Sequence, residues 1–371
     1  DLTTPPGCNY SADSCFNATR WTEVLEFADA VGARIIFGLN YLGHTNNNTK
    51  DWDASNARTL MTHAAKVARP GLIYGFELGN ELNLRHKEDN ITRVATAFHT
   101  LRTEISAAFA AWPSLPVVVG PACATGDWFD EFLAQAEVDV VTWHQYHGSG
   151  ADESVVTKQL EPAFLDSEGA SADTAVNSVR KLAGNKPVWL GEGAYAYGSG
   201  RGNDTNRFRD TLWYLDQLGV LASHGHSGWA RQTLTGGFYE LMAHTDLTPN
   251  PDFWGALLHK TLLGTKVLKT TTSSDSLRGY AHHHPDGVHV TLLLINVDNS
   301  TRTVSLPAFV QSGDAVVLAA DGLDSVQVKA NGVKLDMQQD GTLPSIPSRK
   351  VGTTLSMPPY AAAFVSFPMP A

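Results

Sequence analysis

Along the first 264 residues, apolar positions follow two alternating spacings. Short apolar runs that suit buried strands fall at Arg34–Asn40, Ile73–Glu81, Val117–Pro121, Val138–His147, Pro187–Tyr195 and Gly228–Leu234. Between and around them, apolar residues recur every three or four positions, as amphipathic helices require. These stretches are Trp21–Ala30, Asp53–Ala68, Asn90–Trp112, Trp128–Ala136, Thr174–Leu182, Thr205–Ser223 and Phe253–Leu263. The clearest carries Val94, Phe98, Leu101, Ile105 and Phe109 on one stripe, and Asp53 reads as a helix cap. Strands alternating with helices predict a parallel sheet joined by crossover connections. Six strands are visible, whereas a closed (β/α)8 TIM barrel needs eight, so two are expected to precede residue 1.

From Thr265 the helical spacing stops. Short alternating runs at Val288–Val297, Thr303–Leu306, Ala315–Ala319, Val326–Val328 and Ala361–Phe367 are separated by turn signals such as Pro285-Asp286-Gly287 and Asn331-Gly332. This pattern predicts a C-terminal β-sandwich. The expected division is a polar arm over 1–20, an incomplete catalytic barrel over 21–264 and the sandwich over 265–371.

Composition narrows the function. At 371 residues and 43% hydrophobic, the chain can bury a barrel-sized core and a smaller domain. No apolar run approaches the ~18–20 residues of a membrane span. The net charge of −11 counts against nucleic acid as a partner and against easy binding of a highly sulfated polyanion. The chain opens on Asp1 without a signal-peptide pattern, as expected of a processed or trimmed form. Cys8 and Cys15 suit a small loop disulfide, and Cys123 is either a buried thiol or bonded elsewhere. Sequons at Asn9, Asn17, Asn47, Asn90, Asn203 and Asn299 point to an N-glycosylated protein, secreted or lysosomal. An adjacent triplet on a strand cannot turn three rings to one point, so His282–His284 read as surface residues. No metal or other cofactor is expected.

The candidate chemistry sits at two strand ends. Ile73–Asn83 runs from an apolar strand into Gly79, Asn80 and Glu81, and Pro187–Tyr195 places Glu192 in the same way. On a barrel, the C-terminal ends of strands carry the chemistry, and a pair of carboxylates is what glycoside hydrolysis uses. Either glutamate alone reads equally well as a helix cap or ion-pair partner; the pair is what points to catalysis.

With these elements placed, the chain resembles the heparanase-type glycoside hydrolase family. The resemblance is carried by Phe37–Asn40, Phe76–Asn83, Thr142–Tyr146, Val188–Glu192 with Tyr197-Gly198, Arg231-Gln232, Asn250–Asp252 and Leu263–Val267. It implies a retaining endo-β-glucuronidase acting on a glycosaminoglycan, with a barrel and a β-sandwich. Glu81 would be the acid/base, protonated at an acidic working pH, and Glu192 the nucleophile. The same resemblance implies a short N-terminal light chain that supplies the missing strands. Asn80 would bind the sugar 2-hydroxyl, and Asn83, Gly198, Gln232 and Tyr239 would contact the substrate. Tyr146 would orient the nucleophile or serve as a core aromatic. His144 and Arg231 would support the contacting residues or form buried, satisfied pairs.

Several positions depart from the family pattern. Leu82 follows the Asn-Glu pair where a proline is usual, and Gly193 and Ala194 follow the nucleophile. The Ala122–Asp130 loop carries Asp127 and Asp130 with no Lys or Arg, which removes an expected sulfate-binding patch. Hyaluronan, a less sulfated heparan domain or a plant or microbial glucuronide are therefore open as substrates, by endo or exo cleavage. A clan relative acting on another sugar, or a non-catalytic glycan-binding relative, are the competing readings.

Overall fold

The computed structural model describes residues 16–42, 49–85 and 90–369. The first elements are α1 (Ala18–Ala30), β1 (Ile35–Leu39), α2 (Ser55–Val67), β2 (Ile73–Leu78) and the short α3 (Leu82–Arg85). They are followed by α4 (Ile91–Ala108), β3 (Val117–Cys123), α5 (Asp127–Gln135), β4 (Val140–Gln145) and α6 (Pro162–Leu182). Next come β5 (Val188–Gly193), α7 (Phe208–Ser223), β6 (Gly228–Arg231) and α8 (Pro251–Leu262). The six strands form one sheet in chain order, β1-β2-β3-β4-β5-β6. The pairings from β1 to β4 are parallel. This is the strand–helix alternation of a (β/α)8 barrel, with six of its strands.

Two compact units interleave along the chain, one of residues 1–144 and 177–191, the other of residues 145–176 and 192–371. The change from parallel to antiparallel pairing falls between β6 and the strands after residue 264.

In the first unit, α4 lays its predicted stripe inward, with Val94, Phe98, Leu101, Ile105 and Phe109 all buried. Phe98 meets Phe132 of α5 edge-on at 4.9 Å, and Phe76 of β2 packs on Phe109 at 5.8 Å. A Cβ on Gly120 of β3 would come within 2.5 Å of the Phe98 ring, so glycine there makes room for the helix. Helix α2 starts later than its expected Asp53 cap. Its N-cap is Ala54, and Asp53 instead accepts from the Ser55 amide at 2.9 Å.

In the second unit, β7 (Val267–Leu268), β8 (Leu277–His283), β9 (His289–Asn296), β10 (Arg302–Ser305) and β11 (Gly313–Ala319) open the antiparallel region. They are joined by β12 (Lys329–Ala330), β13 (Val333–Lys334), β14 (Arg349–Val351), β15 (Thr354–Met357) and β16 (Ala361–Pro368). The main sheet runs β13-β12-β11-β16-β9-β8-β7, with β14 also on β11, and β10 pairs β15 in a two-stranded sheet. Successive residues of β9 and β16 face opposite cores. Leu293, Ile295, Ala362 and Phe364 pack with Leu212, Leu215 and Trp254 of α7 and α8. Leu292, Leu294, Ala363 and Val365 pack with Val304, Leu355 and Met357 of the two-stranded sheet. A cavity of about 790 Å³ on this second face is lined by Leu277, Leu292, Thr303, Val304 and Phe309; no carboxylate lines it, so it lacks the groups glycoside hydrolysis needs.

Three further readings depart from the sequence expectation. Helix α6 begins at Pro162, twelve residues before Thr174, because Gly169, Ala170 and Ala172 interrupt its apolar spacing without interrupting the helix. A Cβ on Gly169 would meet the His224 ring at 2.8 Å, so a larger residue there would push that side chain aside. Val326–Val328 is not a strand. The histidine triplet is not all surface. His282 is 3% exposed, its Nδ1 lies 2.7 Å from the Gly264 carbonyl, and its ring sits 6.0 Å from that of His259 on α8. Cover by α8 buries a strand face that the sequence pattern leaves open.

Buried histidines give the fold a signed pH dependence. Burial pushes the imidazoles of His147, His226 and His259 down to about 4. A histidine held neutral in this way contributes stability that is fully present above its ordinary pKa near 6.5 and is lost as the pH falls through about 4. Each contributes at most ~3 kcal/mol. Glu168 acts oppositely: burial pushes it up to about 8, and its contribution is lost as the pH rises through that value. Melting temperature measured from pH 4 to 9 is expected to peak between about pH 6 and 7.5 and to fall steeply toward pH 4. A melting temperature that keeps rising as the pH drops from 6.5 to 4 would contradict this.

Candidate active site

Glu81 lies three residues beyond the end of β2, after the left-handed Gly79. Its own φ is +50°, and Ala122 of β3 has φ +56°. Left-handed backbone at non-glycine residues costs ~1–3 kcal/mol and persists where the surroundings fix it. Here the Glu81 amide donates to the Ala122 carbonyl at 2.8 Å, so the two residues lock each other. On the side chain, Glu81 Oε1 lies 3.2 Å from His144 Nδ1. His144 is buried and is the penultimate residue of β4, before Gln145. Below them, Cys123 is fully buried with no disulfide among the described residues. Burial, with Glu77 and Glu81 nearby, pushes its thiol well above the usual range. Cys8 and Cys15, with the sequons at Asn9 and Asn47, lie outside the described residues.

Glu192 belongs to β5 and directly follows Gly191. A Cβ on Gly191 would lie 2.7 Å from the Thr142 Cβ, so only glycine lets β5 run this close to β4. The Tyr146 hydroxyl, just beyond β4, donates to Glu192 Oε1 at 2.7 Å. Tyr146 is therefore the partner of the strand-end carboxylate rather than a core aromatic. Tyr197 meets Tyr146 edge-on at 6.4 Å. Beside Tyr146, His147 Nδ1 lies 3.1 Å from buried Glu168 Oε1. Burial lowers the His147 imidazole and raises the Glu168 carboxyl, which favours the neutral form of each.

The remaining sequence candidates fall as follows. Asn80 is exposed. Asn83 donates Nδ2 to the Ala124 carbonyl at 3.1 Å, and its Oδ1 is buried with no hydrogen-bond partner among the described residues. Gly198 is exposed with φ +74°. Gln232 donates its amide to the Gly193 carbonyl at 3.0 Å. Tyr239 is 7% exposed, beneath Gly200 and Gly237; a Cβ on either would approach its ring to 3.1 and 3.0 Å. Arg231 is buried between Asp210 and Asp252 and pairs with both through Nη2, while its Nε and Nη1 have no hydrogen-bond partner among the described residues. Sequence reasoning did not single out Glu77, Thr142, Glu168, Asp210 and Asp252 as partners of one another and of the residues above. The available signal was a charged or hydroxyl residue inside an otherwise apolar strand or helix.

Parallel strands that end in carboxylates, each held by a neighbouring histidine or tyrosine, define a barrel-type glycoside hydrolase. Residues 9–219 match glycosyl hydrolase family 79, N-terminal domain, and the chain belongs to this family. It is 31% identical to heparanase-like protein 3 of Arabidopsis thaliana, over 95% of this chain and 73% of that protein. It is 30% identical to baicalin-beta-D-glucuronidase of Scutellaria baicalensis, over 96% and 73%. Heparanase of Gallus gallus is 32% identical, over 91% and 68%. The fold is shared with a 4-O-alpha-L-rhamnosyl-beta-D-glucuronidase from Fusarium oxysporum 12S, at TM-score 0.71 and 16% identity over 93% of this chain and 79% of that one.

Proposed function

We propose that this glycoside hydrolase cleaves β-linked glucuronides with retention, using Glu192 as nucleophile and Glu81 as acid/base. The observation that carries the reading is that each strand-end glutamate has its own holder, His144 for Glu81 and Tyr146 for Glu192. A carboxylate of Glu192 bonds to the anomeric carbon as the bond to the leaving oxygen breaks, and that oxygen takes the proton of Glu81. Water then attacks the same carbon, gives its proton to Glu81 and releases Glu192. Asn80 would bind the 2-hydroxyl, Asn83 Oδ1 would accept a sugar hydroxyl, and the exposed backbone at Gly198 would meet the glucuronate carboxylate. Gln232 and Tyr239 would complete the contacts. No cofactor enters these steps.

The glucuronide preference is supported by relatives named heparanase and baicalin-beta-D-glucuronidase. The polymer expected from the resemblance is a glycosaminoglycan cut internally. One observation favours a smaller or unsulfated substrate: Asp127 and Asp130 occupy the first turn of α5, and residues 122–130 carry no cation. We further propose that a short N-terminal polypeptide adds strands at the ends of the β1–β6 order, where β1 presents Ile36 at 37% exposure. A secreted or lysosomal, N-glycosylated form is supported by sequons at Asn90, Asn203 and Asn299, all exposed.

The test is product analysis at about pH 5–7 with an aryl β-glucuronide, the matching β-glucoside, hyaluronan and heparan sulfate oligosaccharides, and Glu192→Gln as control. Cleavage of the glucuronide at least ~100-fold faster than the glucoside is expected, consistent with a site built around a carboxylate. Equal rates would overturn the glucuronide reading. Shortened oligosaccharides establish endo action, and released monosaccharide alone establishes exo action.

A further inference from the structure

Glu77 sits four residues before Glu81, within β2, and none of the roles above uses it. Its Oε1 accepts from the Thr142 hydroxyl at 2.6 Å. The same hydroxyl accepts from the Ala122 amide at 3.1 Å, and the Ala122 carbonyl accepts from the Glu81 amide at 2.8 Å. Thr142 is 2% exposed and Ala122 1%, so the bond between them is shielded from water, while Glu77 itself is half-buried. Thr142 and His144 alternate onto one face of β4. That single face therefore braces the Glu81 backbone through Ala122 and holds the Glu81 side chain through His144.

We propose that Glu77 and Thr142 are positioning residues that set the aim of Glu81, a reading that rests on Glu81 being the acid/base. The relay needs a side chain that donates and accepts at once. A hydroxyl does both, and an isosteric valine does neither. With the relay cut, the left-handed Ala122–Glu81 pair loses its anchor and the carboxyl drifts from the leaving oxygen. Misplacement on the order of 1 Å costs ~100-fold in rate. The packing of Thr142 against Gly191 is unaffected by valine, which keeps the same shape.

Leaving groups separate this role from general damage. Phenyl β-glucuronide needs protonation of its departing oxygen, whereas 2,4-dinitrophenyl β-glucuronide departs almost unaided. Thr142→Val is expected to lower kcat/KM for the phenyl substrate by ~10–100-fold and for the dinitrophenyl substrate by less than about 3-fold. Thr142→Ser should restore both to within about 3-fold of the parent. Should Thr142→Val not fold, Glu77→Met removes the acceptor without touching Thr142, and the same leaving-group-dependent loss is expected. An equal fall on both substrates, or failure of serine to rescue, overturns the positioning role. Glu81→Ala is the benchmark: if it shows no leaving-group dependence, the acid/base reading fails, independently of Thr142.

Discussion

Glu192→Gly is expected to hydrolyse an aryl β-glucuronide on the order of 10⁴-fold or more slowly than the parent, and added azide is expected to restore turnover as the α-glucuronosyl azide. Under the proposed retaining mechanism the loss follows from deleting the carboxylate that forms the covalent intermediate, since no other step substitutes for it. Deletion to glycine also opens space on the face from which the carboxylate attacked, so a small anion entering there inverts the anomeric carbon once. Glu81→Ala gives the opposite product. The glycosyl-enzyme still forms with an activated substrate, azide displaces Glu192 from the other face, and the azide emerges β. The anomeric coupling constant in a proton spectrum of each product reads the result. Exchanged configurations would swap the two roles, and no azide product from either variant would remove both glutamates from catalysis.

The largest stability effect is expected at Arg231. Its Nη2 donates to Asp210 Oδ2 at 3.0 Å, to Asp252 Oδ2 and to the Tyr239 carbonyl, and its guanidinium lies 4.3 Å over the Tyr214 ring. The three side chains of the ion-paired group are at most 4% exposed. Gln159 and Thr211 add donors to the carboxylates at 2.5 and 2.8 Å. Two carboxylates share this one cation, and burial, with Asp252 alongside, holds the Asp210 carboxyl well above the usual carboxylate range. Arg231→Met leaves the acids without a counter-charge, which costs ~3–5 kcal/mol. The Asp210 contribution is present below its ordinary pKa and lost as the pH rises through its folded one, so the deficit grows with pH. Urea unfolding at pH 5 and pH 8 measures it. A triple change that also makes Asp210→Asn and Asp252→Asn is expected to recover most of the loss; a loss below ~1 kcal/mol in Arg231→Met would show that the group is not a stabilising unit.

What the sequence shows and what it hides divide along a physical line. Periodicity is local, so the α4 stripe and the apolar runs of β2, β4 and β5 read directly from spacing. The strand-end glutamates read as well, because a barrel fixes where strand ends lie. Pairings across long sequence separations do not read. Thr142 finds Glu77 across 65 positions, and Arg231 finds Asp210 and Asp252 on two different helices. Burial imposed by another element is hidden too, as with His282, which is covered by α8 rather than by anything in its own strand. Tyr146 stands between two roles in the sequence, because the bond from its hydroxyl to Glu192 spans 46 positions and leaves no mark on local spacing.

The interleaving of the two units bears on how the protein is made. The chain passes between them after residues 144, 176 and 191. During synthesis, the first unit lacks β5 until residue 191 emerges, whereas residues 145–176 are born long before the bulk of their own unit. At ~5–20 residues per second, the ribosome takes roughly ten to forty seconds to deliver that remainder. Over that interval Leu165 and Glu168, both buried in the finished protein, have no core to enter. The wait ends late, because β16, which pairs with both β9 and β11 in the middle of the sheet, is made after every other described strand. Newly made chains should therefore depend on chaperones that shield this segment far more than refolding of the full-length protein does.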